Sequence, residues 1–384
     1  MPRDTRPRKT GRSGKKKSTS SGRDHSQPRG IADRLILEQT DQILPGNALM
    51  VLITGTALAK HLTDRRPELN WNIFTCEHFY LTAIVNALSD LPEDTAGHGA
   101  VELFCMPDLP EAEYDTVVFP TDAKGSSELT RELLQTIAVQ LKPEGRLIVS
   151  TNNARDHWLQ TQLKDMFGRT TVIKNNQGIC YIARKAARPA KQRDFRCEFA
   201  FRDGKRLIRG VSRPGVFSHR RIDPGARALI RSLDLIRDDA RFARKPLKRI
   251  IEMGCGTGTV STAAGLRYPD ATVVAVDSHA RAVQATEQTA AINGANNVTA
   301  LLTSDGLVPA MGTHDLFLCN PPYYSDYRIS ELFLESADQS LRPGGRIHLV
   351  TKLTDWHQNR MIERFANAEV HRFGDYDVIV SKVR

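Results

Sequence analysis

The amino-acid sequence repeats its own pattern after about 200 residues. Four segments of the first half recur in the same order in the second half: ALMVLITG (48–55) as KRIIEMG (248–254), NIFTCE as TVVAVD, YDTVVFP (114–120) as HDLFLCN (314–320), and KPEGRLIVST (142–151) as RPGGRIHLVT (342–351). Ordered matches at a nearly constant offset are hard to obtain by chance. They predict two domains of one fold, related by internal duplication.

Each half alternates apolar, strand-like runs with helical segments, which is typical of an α/β fold with helices covering a mostly parallel sheet. We expect two tandem Rossmann-like domains, each with a seven-stranded sheet, over residues 31–188 and 189–384. The boundary falls near the charged stretch 184–194, which shows no periodicity. The last runs of each half, GICYIARK and YDVIVSKV, follow without a crossover helix. This predicts a hairpin and an antiparallel edge strand.

The positive charge is concentrated at the start of the chain. Residues 1–30 hold ten Lys and Arg against two Asp, which is +8 of the net +10. The segment is otherwise rich in Ser, Gly and Pro, so it cannot bury enough apolar surface to fold alone, and we expect a disordered basic tail. Two interpretations remain open: a solubilising tail, or an arm that follows nucleic-acid phosphates.

Several classes of protein are excluded by composition. No run approaches 18 apolar residues, so we expect no transmembrane helix, and the basic start lacks the apolar core of a secretory signal. The six cysteines are scattered singly and form no CxxC pair, which favours free thiols in a reducing cytoplasm. The histidines form no HxxxH or Cys/His cluster, so we expect no metal site.

The second half contains a glycine-rich segment, IIEMGCGTGTVSTAAG (250–265), between a strand-like run and a helix-like run. Its glycines permit positive φ angles and close approach of a ligand. Asp277 ends the next strand and suits ribose hydroxyls, and Asp305 ends the following strand and suits an adenine amino group. All lie at the carboxyl ends of strands, where open α/β sheets bind ligands. A nicotinamide cofactor and S-adenosylmethionine both fit this part, although the former normally requires GxGxxG.

The fourth strand of the second half ends in Asn320-Pro321-Pro322-Tyr323. Proline ends the strand and fixes the loop. The Asn320 side-chain oxygen and the Pro321 carbonyl can accept both hydrogens of an amine, and Tyr323 offers a face for stacking a planar target. A nicotinamide site would not explain this motif. It favours S-adenosylmethionine and methylation of an NH2 group whose lone pair is otherwise delocalised.

With these motifs the second half resembles a class I methyltransferase of the "small" methyltransferase domain type. The whole chain resembles the bacterial ribosomal RNA guanine-N2 methyltransferases (small-subunit type C and large-subunit type G), which are tandem duplications with a degenerate first copy. The run RPGVFSHRRIDPGARALIRSL (213–233) is similar to a segment that precedes the family's cofactor turn. The resemblance implies S-adenosylmethionine as cofactor and ribosomal RNA or a ribosomal subunit as partner.

The resemblance also implies the site residues. Catalysis is assigned to Asn320, Pro321, Pro322 and Tyr323. Cofactor binding is assigned to Phe217, Ser218, Glu252, Gly254, Cys255, Gly256, Gly258, Asp277, Ser278, Asp305, Gly306 and Asn320. We expect a cytoplasmic protein, a monomer, without metal or membrane attachment.

The first half has lost most of these groups. Pro120 stands where Asn320 would recur, Cys105 stands where Asp305 would recur, and Gly55 is the single glycine of the turn. Glu77 keeps an acid at the ribose position. We expect no cofactor in this half and no effect of Glu77 on cofactor binding. Its role is then packing support for the second domain or, as the family suggests, docking of the RNA.

Three alternatives remain open from the sequence. A protein-glutamine N5 methyltransferase acting on release factors and an adenine-N6 methyltransferase use the same NPPY clamp on an NH2 group. A non-enzymatic RNA-binding assembly factor that kept the fold is the third, although the intact Asn320 and Asp277 argue against it. The basic tail and the doubled domain favour RNA.

Overall fold

The computed structural model describes residues 30–89, 98–186, 192–237 and 246–384. The predicted basic tail (1–30) therefore lies outside the described residues, apart from Gly30. Residues 187–191 of the predicted boundary stretch also lie outside them. The remaining chain folds into two α/β domains joined by a short antiparallel hairpin, so the duplicated fold predicted from the sequence is confirmed.

The first domain is a seven-stranded sheet with the order β3-β2-β1-β4-β5-β7-β6. Its strands are β1 (Asn47–Val51), β2 (Asn70–Thr75), β3 (Val101–Cys105), β4 (Tyr114–Thr121), β5 (Leu141–Thr151), β6 (Thr170–Lys174) and β7 (Ile179–Arg184). Its described helices are α1 (Ile31–Leu37), a 3-10 turn (Thr40–Gln42), α2 (Ala57–Arg65), α3 (His78–Leu88), α4 (Ser127–Gln140) and α5 (Trp158–Met166).

The second domain repeats this arrangement after the hairpin of β8 (Cys197–Asp203) and β9 (Arg206–Ser212), with the order β12-β11-β10-β13-β14-β16-β15. Its strands are β10 (Arg249–Met253), β11 (Thr272–Asp277), β12 (Val298–Leu302), β13 (His314–Cys319), β14 (Leu341–Thr351), β15 (Glu369–Phe373) and β16 (Tyr376–Lys382). Its described helices are α6 (Pro224–Ser232), α7 (Asp234–Arg237), α8 (Thr259–Arg267), α9 (Ala280–Ile292), α10 (Arg328–Ser340) and α11 (Thr354–Phe365).

The predicted hairpin at the end of each half is present, and the structure refines its placement. The last strand, β16, pairs antiparallel with both β14 and β15, and β7 does the same with β5 and β6. The antiparallel strand therefore lies one position inside the edge. The edge strand itself points the same way as the parallel strands. Two short extended runs cannot show from sequence which of them inserts into the sheet.

The duplication extends to the pairing register. In the first domain Thr116 pairs with Arg146, after an irregularity between Tyr114 and Thr116. In the second domain Leu316 pairs with Arg346, after an irregularity at the corresponding position. A β-bulge shared at one position of a duplicated pair is a feature of the common scaffold.

Both faces of each sheet are covered, as expected for parallel strands. Along β13, Leu316 and Leu318 enter one hydrophobic cluster, whereas Phe317 and Cys319 enter the cluster on the opposite face. Side chains alternate between the two faces of a strand, so every residue of HDLFLC is buried. The strand ends at Cys319, immediately before the amide and prolines of the predicted active-site loop.

Buried charges hold the two domains together. Arg281 on α9 is 1% exposed and donates to Glu132 Oε2 on α4 at 2.9 Å. Arg213, also buried, donates to Glu132 Oε1 at 2.6 Å and to Asp108 Oδ1 at 2.5 Å. Each guanidinium therefore meets a carboxylate of the first domain. Removing one partner would leave a buried charge uncompensated, which is strongly destabilising.

Among the helices in the described ranges, none has the length and apolar character needed to cross a bilayer. The described residues also contain no cluster of three or more His, Cys, Asp or Glu side chains placed to hold a metal ion. All six cysteines are free thiols.

Candidate active site

The glycine turn after β10 forms as the sequence predicts. Gly254, Gly256 and Gly258 have φ angles of 78°, 54° and 70°, the left-handed region in which a Cβ is unfavourable. Gly258 also packs closely, because a methyl group built on it would lie 2.6 Å from the Thr286 Cα. A methyl group built on Gly256 would instead meet only the Phe217 carbonyl, at 4.0 Å. The turn is therefore packed on one side and open on the other.

Asp277 is fixed against this turn. Its Oδ2 accepts the Gly256 backbone N–H at 2.9 Å, and its Oδ1 accepts the His279 backbone N–H at 2.9 Å. Burial raises the pKa of this carboxyl, while the backbone N–H groups oppose the shift. Each carboxylate oxygen keeps a further lone pair, so the group can also accept hydrogen bonds from a diol.

The predicted adenine-side acid lies in a more open position. Asp305 is exposed, and its Oδ1 accepts the Thr303 hydroxyl at 2.7 Å and the Leu307 backbone N–H at 2.9 Å. The Thr303 hydrogen bond lowers the pKa of Asp305. Gly306 follows with φ 76°, and a methyl group there would lie 3.0 Å from Leu332. Both of these hydrogen bonds are accepted by Oδ1, and Asp305 itself lies three residues beyond the end of β12.

Two predicted cofactor residues lie behind the turn. Glu252 is 4% exposed, and its Oε2 accepts the Ser261 backbone N–H at 2.7 Å and also the Ser261 hydroxyl. Burial raises its pKa to about 8. The Cys255 thiol is buried and accepts the Thr286 hydroxyl at 3.2 Å. These side chains support the turn and the start of α8, a role that spacing alone does not distinguish from ligand contact.

Asn320 is oriented by a residue that the sequence analysis did not assign to the site. Its Nδ2 donates to Asp223 Oδ2 at 3.0 Å. A carboxylate only accepts, so the NH2 end of the amide must face Asp223 and the oxygen end must face away. Asp223 also caps α6 by accepting the Ala226 backbone N–H at 2.9 Å. The pair Asp223-Pro224 is a recognisable helix-start signal, but nothing in it indicates contact with Asn320.

The rest of the NPPY motif forms a loop after β13 whose backbone is restricted by the two prolines. Pro321 is buried, and Tyr323 is 49% exposed. Burial raises the pKa of Tyr323 to about 12. The Lys352 ammonium lies 4.5 Å from the centroid of the Tyr376 ring. About half of the Tyr323 side chain is accessible, as a stacking surface requires.

The loop beyond NPPY is anchored by aromatic packing. Tyr324 is 73% exposed. The next three residues have positive φ angles, ending with Tyr327 at 61°. The Tyr327 ring stacks on Trp356 with centroids 4.0 Å apart. This contact holds an otherwise unfavourable backbone turn in place at the start of α10.

The Phe217 backbone lies beside the glycine turn, with its carbonyl 4.0 Å from a methyl group built on Gly256, and Ser218 follows it in the chain. Phe217 is 68% exposed although it is a large apolar side chain. Ser218 has φ 55°, and its hydroxyl donates to the Arg221 carbonyl at 3.0 Å. An exposed phenylalanine in a segment next to the open glycine turn is suited to covering a bound ligand.

These groups fit S-adenosylmethionine. The turn is open at Gly256, a carboxylate with spare lone pairs lies beside it, and a second acid lies at the next strand end. The site would hold the cofactor between the glycine turn, Asp277 and Asp305. The first domain offers only Gly55 in its turn and Cys105 at the third strand end. The fold and this constellation define an S-adenosylmethionine-dependent class I methyltransferase.

Comparison with known proteins narrows the class to a family. The family model described as "Methyltransferase small domain" matches residues 208–379. The ribosomal RNA small subunit methyltransferase C of Pseudomonas putida (strain GB-1) is 30% identical over 262 residues, which are 66% of this chain and 72% of that protein. The protein of the same name from Pseudoalteromonas translucida is 25% identical over 325 residues, which are 82% and 88% of the two chains. The chain belongs to the ribosomal RNA small subunit methyltransferase C family.

A solved structure shows the same fold over both domains. It is the T. thermophilus 16S rRNA N2 G1207 methyltransferase (RsmC), in complex with AdoMet and guanosine. The TM-score is 0.73 at 18% identity, and the match covers 93% of this chain and 92% of that one. The tandem arrangement is therefore common to the two proteins.

Proposed function

We propose that the protein methylates the exocyclic N2 amine of a guanine in small-subunit ribosomal RNA. The observation that carries the proposal is the hydrogen bond from Asn320 Nδ2 to Asp223, which fixes the amide with its oxygen end turned away from Asp223. An acceptor held in this way suits an NH2 donor. The family relatives named for the small ribosomal subunit, and the solved neighbour that binds AdoMet and guanosine, support the choice of substrate.

The mechanism follows from the acceptors. Bound S-adenosylmethionine supplies an electrophilic methyl group on a sulfonium sulfur. The Asn320 Oδ1 and the Pro321 carbonyl accept the two hydrogens of the guanine amine, so the nitrogen lone pair is withdrawn from ring conjugation. The nitrogen gains the methyl group as the methyl–sulfur bond breaks, which leaves S-adenosylhomocysteine, and the nitrogen then releases one proton to water. Asp223 keeps the amide oriented throughout and takes no proton.

The target base must leave its stack to reach this loop. A paired guanine directs its amine into the minor groove, away from a strand-end clamp, so a flipped or unpaired nucleotide is required. Tyr323 supplies an exposed ring against which such a base can stack. Because the prolines fix the backbone, little ordering remains to be done when the base arrives.

The experiment is methyl transfer from labelled S-adenosylmethionine, followed by mass spectrometry of nucleosides. The substrates are free small-subunit ribosomal RNA, assembled small subunits, large-subunit ribosomal RNA and a release factor. We expect N2-methylguanosine in small-subunit RNA. Label in N6-methyladenosine or in protein glutamine would contradict the proposal. Cofactor binding with no transfer to any of the four substrates would favour a non-enzymatic assembly factor.

A further inference from the structure

The carboxyl ends of β2 and β11 meet at the domain interface. Glu77 and His279 form an antiparallel bridge. The His78 N–H donates to the Ser278 carbonyl at 2.7 Å, and the Ala280 N–H donates to the Cys76 carbonyl at 2.7 Å. Glu77 and His279 occupy corresponding positions in the duplication, because each lies two residues beyond the end of its strand, β2 (Asn70–Thr75) or β11 (Thr272–Asp277), so each domain presents the same turn to the other. The contact is therefore built like the interface of a two-fold dimer.

The side chains of this turn reach the second domain's predicted cofactor loops. Glu77 Oε2 accepts the Ser278 hydroxyl at 2.9 Å, and Ser278 directly follows Asp277. The His78 Nδ1 lies 3.0 Å from the Ser304 hydroxyl, and Ser304 directly precedes Asp305. Two neighbouring residues of the first domain thus hold the loops that carry both predicted cofactor acids.

The electrostatics agree with this proximity. Burial raises the pKa of Glu77 to about 7, the Ser278 hydrogen bond opposes the shift, and the nearby Asp277 charge adds to it. The acid of the degenerate half therefore lies among groups of the other half's site.

We propose that the first domain completes the cofactor site of the second: Glu77 and His78 are positioning residues that hold Ser278 and Ser304, and thereby the acids beside them. This inference rests on the proposed function. It replaces the expectation that Glu77 has no effect on cofactor binding. The degenerate domain then has a role at the active site, in addition to packing or RNA docking.

The test measures binding of S-adenosylhomocysteine to the full chain by isothermal calorimetry, so no turnover is needed. Glu77→Ala should raise Kd about tenfold, because one hydrogen bond to a charged group is lost. Glu77→Gln should stay within about threefold of wild type, because the amide oxygen still accepts the Ser278 hydroxyl. Asp64→Ala removes a surface acid that pairs with Lys60, and it should leave Kd unchanged.

A double-mutant cycle separates direct coupling from a general loss of structure. Ser278→Ala removes the same hydrogen bond from the side of the second domain. The double variant Glu77→Ala/Ser278→Ala should bind S-adenosylhomocysteine no more weakly than the single variant with the lower affinity. Unaltered affinity of Glu77→Ala, or fully additive effects, would overturn the inference while the proposed function stands. If the wild-type protein binds no S-adenosylhomocysteine, the proposed function fails and the inference fails with it.

Discussion

The two domains share a scaffold but differ at the strand ends. In the first domain β4 continues through Pro120 and Thr121, which pair with Ser150 and Thr151 of β5. In the second domain β13 stops at Cys319, and the corresponding residues form the NPPY loop. The same sheet therefore supports either two more ladder residues or the NPPY loop. At this strand the two domains differ in the residues that follow the shared sheet positions, so the loop can change while the β4–β5 and β13–β14 pairing is kept.

The difference is also one of polarity. Met50 of the first domain corresponds to Glu252 of the second, since each is the fourth residue of its strand, and both are almost fully buried. Glu252 needs the Ser261 hydroxyl and N–H to compensate its burial, whereas Met50 packs in an apolar cluster. The first domain has replaced a polar turn with hydrophobic core. Its remaining polar turn residues, Glu77 and His78, face the other domain.

The largest expected effect is loss of turnover in Asn320→Ala. Removing a preorganised acceptor should lower kcat by about 100-fold or more, while cofactor affinity stays nearly intact. Methyl transfer under saturating RNA and calorimetry with S-adenosylhomocysteine measure the two quantities. Asp122→Ala, in the corresponding loop of the first domain, is the matched control and should retain wild-type turnover. If Asn320→Ala keeps wild-type turnover, Asn320 is not needed for catalysis and the two loops do not differ in function.

The next effect concerns the cofactor. Asp277→Ala should weaken binding by about 2–3 kcal/mol, because charge-assisted hydrogen bonds to the ribose are lost. This exceeds the tenfold effect expected for Glu77→Ala, since we expect Asp277 to contact the ribose directly, whereas Glu77 acts through Ser278. Calorimetry of the intact chain should also give one binding site per chain. A stoichiometry of two would show that the first domain binds cofactor after all.

The smallest effect compares two helix caps. Asp223 caps α6 and Ser126 caps α4, where Ser126 Oγ accepts the Leu129 N–H at 3.3 Å. Replacing either by Ala should cost about 1 kcal/mol of stability, measured by denaturant unfolding. Only Asp223→Ala should also lower turnover, by about tenfold, because the Asn320 amide is then free to rotate. Equal turnover in the two variants would mean that Asp223 has no role beyond capping.

Most of the fold was predictable because its signals are local. Alternating strands and helices, the glycine turn and the proline stop at Pro321 each depend on neighbouring residues. The duplication itself was readable because the same local pattern occurs twice. The place of β16 inside the sheet was not predictable. The order of the strands depends on which strand pairs with β14, and two short extended runs do not show which of them does so.

The sequence by itself determined the scaffold, the turn at Gly254–Gly258 and the residue types at each strand end. Only the tertiary structure decided what those residues touch. Asp223 and Asn320 are 97 residues apart in sequence, and Glu77 and Ser278 are 201 apart. Contacts at such separations are created by packing α6 against its own sheet and one domain against the other. No local preference encodes them, so the orientation of the amine clamp and the second domain's dependence on Glu77 emerge only in the folded chain.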